Sequence, residues 1–341
     1  VKKNLAYILI AVLAISAMLV FYMQCTSPDS NTTNGGDEPS AEQPVIKVPE
    51  FSKDSAFGFV SKQVGFGTRI PGSASHKACK DWLVATLKGY GAAVIEQAFD
   101  ATVYTGKTLK ATNIIASFNP SSQRRILLCA HWDTRHIADH DPDPAQQGKP
   151  ILGADDGGSG VGVLLEIARQ LQQNPPEIGV DIVLFDAEDH GEGGMNGKAE
   201  SWCLGSQYWS RNLHVPGYKP EFGILLDMVG GSGARFTKEG TSMQYAGEFV
   251  DKVWSRANAL GYSSYFVNEA TPGIIDDHLF INQITGIRTL DIINRPVDSN
   301  TGFPGHWHTQ KDDLNAIDRY TLKAVGQTVL SVLFYEAAGA M

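Results

Sequence analysis

Acids and histidines recur where short apolar runs end: His131 and Asp133, Asp155-Asp156, Glu188-Asp189, Asp227, Asp276-Asp277 and His308. Carboxylate and imidazole are zinc donors, and one nitrogen with two oxygens leaves a coordination position open for substrate. Glu188-Asp189, with Asp186 close by, repel one another; a solvated loop would tolerate that at little cost, but at a strand's carboxyl end a cation is the natural compensation. In such a pair one acid can ligate while its neighbour moves protons. The chemistry to expect is a metal centre with its own general acid or base.

Each candidate also has a plainer use. In Gly153-Ala154-Asp155-Asp156-Gly157-Gly158-Ser159-Gly160, an Asp ahead of an apolar helix is a normal cap that favours the helix dipole. Capping accounts for one acid and leaves the glycines unexplained. They let the backbone approach another group closely, which favours a metal ligand, and they lack the G-x-G-x-x-G spacing of a dinucleotide fold. His308 follows Phe303-Pro304-Gly305 in His306-Trp307-His308-Thr309. Alone it would be a surface histidine; beside the acids it is the natural nitrogen donor. Trp307 suits a pocket wall or ordinary packing. His131 suits a further ligand or a structural role equally.

The runs Ile126-Leu127-Leu128-Cys129, Asp181-Ile182-Val183-Leu184-Phe185 and Phe222-Gly223-Ile224-Leu225-Leu226 read as buried strands bounded by turn residues. The pattern predicts helices over 75–90, 158–173, near Gln207, over 245–260 and over 319–337. It predicts strands over 111–118, 125–130, 181–185, up to Asp227, near Tyr265 and over 287–293, with a Gly-rich loop over 190–201. Such alternation implies a single α/β domain: a mixed, mostly parallel twisted central sheet flanked by helices on both faces. Ligands then bind outside the carboxyl ends of the strands, on the long loops.

Lys2 and Lys3 precede an uncharged apolar run, Leu5 to Met23, that stops before Cys25. Residues 1–25 are therefore expected to be a signal peptide or membrane anchor with a lipobox-like Cys25, although Tyr22-Met23-Gln24 is a poor match to the usual small residues. Residues 26–50 have the composition of a flexible linker, and 51–341 are expected to form the catalytic domain. The expected location is the periplasmic face of a bacterial membrane, lipid-anchored after export. Cys79, Cys129 and Cys203 are too irregularly spaced for a zinc motif or a disulfide framework. A net charge of -9, with no Lys/Arg cluster, argues against nucleic acid as a partner.

Taken in order, His131-Trp132-Asp133, Asp155-Asp156-Gly157, Glu188-Asp189, Leu226-Asp227-Met228-Val229-Gly230, Asp276-Asp277-His278 and Trp307-His308-Thr309 resemble the zinc-dependent exopeptidase superfamily, from Ala111 nearly to the C-terminus. Within it the chain is most similar to the animal-type glutaminyl-peptide cyclotransferases, or glutaminyl cyclases, and their bacterial relatives. Asp276-Asp277-His278, and Phe303-Pro304 ahead of Trp307-His308-Thr309, carry that finer likeness.

The resemblance implies conversion of the N-terminal glutamine of peptides and proteins to 5-oxoproline, with release of ammonia. It makes Asp156, Asp189 and His308 the ligands of Zn²⁺, one per chain, and Glu188 the general acid/base. Asp227 and Asp276 become a hydrogen-bonded acid pair, and Trp307 and Phe303 line the glutamine pocket. An Asp227 held by Asp276 would leave His131 too poorly supported to bind a second ion. Two departures stand out: Asp189 where the animal enzymes have Glu, and Asp291 where they have His. The competing reading is a dinuclear zinc aminopeptidase, with His131 and Asp227 completing the second site, Asp156 bridging and Glu188 activating water. A binding ectodomain without catalysis is a third.

Overall fold

Ser52 and Ser73 start the first two helices as small hydroxyl side chains do, each accepting from a first-turn N–H, of Ser55 and His76 respectively. The computed structural model describes residues 46–194 and 197–341, and Ile46–Met341 forms one unit. Cys25, the apolar run before it and the tether as far as Val45 lie outside the described residues.

In chain order the elements are α1 (Lys53–Val64), α2 (Ala74–Gly89), β1 (Ala93–Thr102), β2 (Thr108–Phe118), β3 (Arg125–His131), α3 (Gly158–Gln173), β4 (Gly179–Phe185), α4 (Leu204–Arg211), β5 (Gly223–Asp227), β6 (Phe236–Glu239), α5 (Gly240–Ala259), β7 (Phe266–Thr271), α6 (Asp277–Thr285), β8 (Thr289–Ile293) and α7 (Arg319–Ala337). The central sheet has the order β1-β2-β4-β3-β5-β8. β3 runs parallel to β4 and β5, and β5 parallel to β8, while β1 and β2 form an antiparallel edge. This is the expected mixed, mostly parallel sheet.

Successive residues of β3 serve opposite faces, as a strand's two-residue period requires. Ile126, Leu128 and Ala130 join the core formed with α1, α3, α5 and α7. Leu127 and Cys129 join a second core with Trp209 of α4 and Ile281 of α6. Strands covered on both faces need apolar residues throughout, and every residue of β4, β5 and β8 is buried. α3 packs so closely on β5 that a side-chain carbon at Gly160 would strike the Leu226 carbonyl. The register sets His131 beside Phe185 and Asp227 beside Ile293. The carboxyl ends of the parallel strands therefore meet at one edge, where the site lies.

Several elements were not expected from the sequence. β1 is an edge strand with mostly exposed positions, and α6 spans only Asp277–Thr285, so neither shows a clear apolar period. The helix expected from Tyr245 begins at Gly240, and its non-helical residue, Ala246 (φ -136°, ψ 25°), sits beside the expected start. The strand near Tyr265 belongs to a separate two-stranded sheet of β6 and β7. Pro49 and Glu50, assigned to the linker by composition, are tied to the domain: their carbonyls accept from Gln327 Nε2 (3.1 Å) and Gln170 Nε2 (3.0 Å). Among the described residues, no helix is long and apolar enough to cross a membrane.

Candidate active site

Asp156 lies just before α3, Glu188 and Asp189 just after β4, Asp227 at the end of β5, Asp276 at the N-cap of α6, and His308 in the loop before α7. All of them line one cavity of about 530 Å³. Asp156, Asp189 and His308 each offer a donor atom, all within 4.8 Å of one another and all buried. His308 Nε2 stands 3.3 Å from Asp189 Oδ1 and 3.6 Å from Asp156 Oδ2. Asp189 Oδ2 is buried with no hydrogen-bond partner, which a metal ion would supply. Two carboxylates and one imidazole, with the cavity beside them, fit a zinc ion that keeps a free position.

A second donor set shares Asp156. His131 Nε2 lies 3.0 Å from Asp156 Oδ1 and 3.3 Å from Asp227 Oδ1, and the three form a buried group able to hold a cation. His131 is thus part of the site. The other ring nitrogen, Nδ1, faces Asp133 Oδ1 at 3.5 Å. Asp133 also accepts from the N–H groups of Glu188 (3.0 Å) and Asp189 (3.2 Å), fixing the turn that presents both acids.

The glycines around Asp156 are explained by contact. Gly157 has φ +84°, and a side-chain carbon there would strike the Asp133 carbonyl and crowd the His131 ring. Asp155 does not cap α3, whose N-cap residue makes no side-chain hydrogen bond. Asp155 instead accepts from Gly230 N–H (2.8 Å) and meets His306 Nε2 (2.7 Å). Asp312 accepts from the N–H groups of Asp155 (2.7 Å) and Asp156 (3.1 Å).

The acids beneath the cavity pair differently from expectation. Asp227 turns to His131 and meets Asp276 only as a neighbouring charge. Asp276 instead has Asp291 beside it: the two offer donor atoms within 4.8 Å of one another in a buried group with His278. Burial, then the charges of Asp276, Asp227 and Glu239, push Asp291 well above the usual carboxylate range. Asp291, on β8, is therefore the acid that stands beside Asp276 in the place expected of Asp227. Burial also raises Asp227, to about 8, against the opposing pull of His131. Glu188 is raised well above its ordinary value, first by burial and further by Asp189, Asp276 and Asp277. A carboxyl raised in this way, beside the proposed ligands, is suited to carry a proton.

Trp307 and Phe303 line the cavity, stacked on each other with centroids 4.3 Å apart. The lining also includes Trp202, which sequence reasoning missed although it closes the Gly-rich loop beside Cys203. The Trp202 ring lies over Gly191 so closely that any side chain at that position would collide with it. Backbone strain gathers here as well. Of the non-glycine residues with positive φ, Ala187 (56°) precedes Glu188, Met228 (46°) follows Asp227, His308 (54°) is itself a candidate ligand, and Cys203 (56°) contacts Glu188. Such residues cost about 1–3 kcal/mol each and persist where the surroundings over-determine them.

The model of Peptidase family M28 matches residues 113–333, which holds all of these donors. The chain belongs to peptidase family M28. This M28 chain is 26% identical over 302 residues to the glutaminyl-peptide cyclotransferase of Bothrops jararaca, covering 79% of this chain and 77% of that one. It is 53% identical to a Zn-dependent exopeptidase from Parabacteroides distasonis, with TM-score 0.83 over 84% of this chain and 99% of that one. The same identity and coverage hold for the glutaminyl cyclase of Porphyromonas gingivalis, with TM-score 0.82. The M28 fold accounts for the strand-end placement of the acids, and the site has to say which chemistry they perform.

Proposed function

We propose that this M28 chain is a zinc-dependent glutaminyl-peptide cyclotransferase, converting N-terminal glutamine of peptides and proteins to 5-oxoproline with release of ammonia. The observation that carries this reading is Glu188 beside the Asp156, Asp189 and His308 donors at the floor of an aromatic-walled cavity, in a chain 53% identical to a solved glutaminyl cyclase. Asp156, Asp189 and His308 would hold the zinc ion, which when bound would supply Lewis acidity towards the side-chain amide oxygen. Trp307, Phe303 and Trp202 enclose the glutamine side chain and bring its amide carbon near its own α-amine, so that proximity favours ring closure. Glu188 takes a proton from the attacking amine. The new C–N bond closes a five-membered ring, the old one breaks, and Glu188 returns the proton to the departing ammonia. Asp276, with Asp291 beneath it, stands beside Glu188 and is the second acid within reach of the leaving nitrogen.

One zinc per chain is part of the proposal. The hydrogen bond expected between Asp227 and Asp276 does not support it; what does is His131, whose Nε2 lies 3.0 Å from Asp156 Oδ1 and 3.3 Å from Asp227 Oδ1, where an N–H donated between the two carboxylates would make a second ion unnecessary. The same triad favours the dinuclear aminopeptidase as the second reading. Metal analysis of purified, dialysed protein decides the count: one zinc is expected, and two would favour the aminopeptidase. Mass spectrometry of a Gln-peptide after incubation tests the reaction. Loss of ammonia with chain length intact is expected, and loss of the first residue would contradict it.

We further propose that residues 1–25 direct export, that Cys25 carries the lipid anchor at the periplasmic face, and that the stretch after it is a tether for a catalytic domain over 51–341. The basic start, the apolar run and the cysteine support this. Fractionation of a Cys25→Ser variant is expected to show release from the membrane; full retention would contradict the anchor.

A further inference from the structure

Arg135 has no role in the chemistry above, yet its side chain is fully buried, touches the proposed ligand segment at Asp189 and is linked to that of His308 through Asp139. Its Nε and Nη2 donate to the two carboxylate oxygens of Asp139 at 2.8 and 2.7 Å. Its Nη1 reaches the Asp189 carbonyl at 3.1 Å, the Gly191 carbonyl at 3.3 Å and Asp189 Oδ1 at 3.4 Å. The guanidinium also lies 4.6 Å from the centre of the Trp202 ring. Asp139, in turn, presents Oδ1 to His308 Nδ1 at 3.2 Å, on the opposite side of the ring from the nitrogen that faces Asp156 and Asp189. The His308 carbonyl accepts from His140 N–H (3.2 Å), so the same loop holds both ends of this residue.

A histidine that ligates through one nitrogen needs its other N–H engaged, because that contact fixes the tautomer and the ring plane. A carboxylate serves best when its own position is fixed, and a planar guanidinium gripping both oxygens does this. We propose that Asp139 and Arg135 are positioning residues for the metal centre. Asp139 holds His308 with Nε2 turned to the metal, and Arg135 locks Asp139 while fixing the Asp189 turn and the Trp202 wall. Neither touches substrate. The inference rests on the ligand assignment proposed above and extends it one layer outward. The plainer role, an i,i+4 ion pair that merely ties down a loop, would stabilise the fold without reference to metal, and that difference can be measured.

The experiment is zinc affinity by chelator competition on the full chain, with thermal melting of the metal-free protein and visible spectra of the cobalt-substituted protein as companion readouts. Asp139→Asn and Asp139→Ala are expected to weaken zinc binding by about 10–100-fold, with the metal-free Tm close to wild type and the cobalt bands shifted. Asp139→Glu, which keeps the carboxylate, is expected to recover part of the affinity. Arg135→Lys keeps the charge but not the fork, and is expected to fall between wild type and Asp139→Ala. His308→Ala is the reference for the ligand assignment. If His308→Ala loses zinc while Asp139→Asn binds it as wild type does, the positioning role is overturned and the ligands stand. If His308→Ala keeps wild-type affinity, the ligand assignment falls and the inference with it. A lowered metal-free Tm with unchanged zinc affinity makes the pair a loop anchor only.

Discussion

Cys203 Sγ lies 3.1 Å from Glu188 Oε1 and donates its S–H to that carboxyl. Cys203 holds a positive φ of 56° at the start of α4, and its own N–H donates to the Glu188 carbonyl at 3.0 Å. The strained backbone therefore aims a weak donor at the group proposed to carry the proton. Cys203→Ala should lower kcat by about 10-fold with KM little changed, since the contact orients Glu188 rather than binding substrate. Cys203→Ser, which keeps a donor, should retain most of the activity. Equal losses in both variants would show that the contact matters only for packing.

Glu188 and Asp189 are adjacent in sequence but face different partners, and their substitutions should separate. Glu188→Gln keeps size and most hydrogen bonding, so zinc should remain while turnover falls by about 10²-fold or more. Asp189→Ala removes a donor and should lose metal. Metal content and single-turnover rates on both proteins check this; zinc lost from the first and kept by the second would exchange the two roles.

Trp307 stacks on Phe303 and on His308, with centroids 4.3 and 3.9 Å apart. Trp307→Ala should raise KM more than it lowers kcat, provided the ring binds the glutamine equally in ground and transition states. Kinetics indistinguishable from wild type would remove Trp307 from the pocket.

Much of this arrangement follows from patterns that a sequence displays, and the remainder does not. Asp156, Glu188, Asp189 and His308 could be singled out because parallel strands deliver their carboxyl ends to one edge, and short apolar runs mark where β3, β4 and β5 stop. The acid beside Asp276 could not, because its position depends on the side-by-side placement of β5 and β8, where Leu225 rather than Asp227 is opposite Asp291. Trp202, Arg135 and Asp139 lie in loops that carry no period, so only their three-dimensional contacts reveal them. α1 and α6 were missed for a related reason: α1 has a weakly segregated apolar face with few buried positions, and α6 is capped by Asp276, an acid already explained by the site.

Glu239 gives a stability prediction away from the catalytic acids. Burial alone would raise its pKa, but His278 and the N–H groups of Ser242 and Thr241 outweigh burial and hold it at about 2, below its ordinary 4.5. A depressed folded value means that its contribution is complete above about pH 4.5 and is lost as the pH falls towards 2. That contribution is of order 3 kcal/mol. Glu239→Gln should be less stable than wild type at neutral pH and lose less on acidification across this window. Denaturant melts at several pH values check it; parallel pH dependences in the two proteins would contradict it.

The most direct test of the proposed reaction is a paired incubation of the domain with a Gln-peptide and a Leu-peptide, measuring ammonia and free amino acid separately. Cyclisation at the Glu188 site predicts ammonia from the Gln-peptide, abolished by Glu188→Gln, and no free leucine from the Leu-peptide. Free leucine without ammonia would contradict the account and make the chain an aminopeptidase.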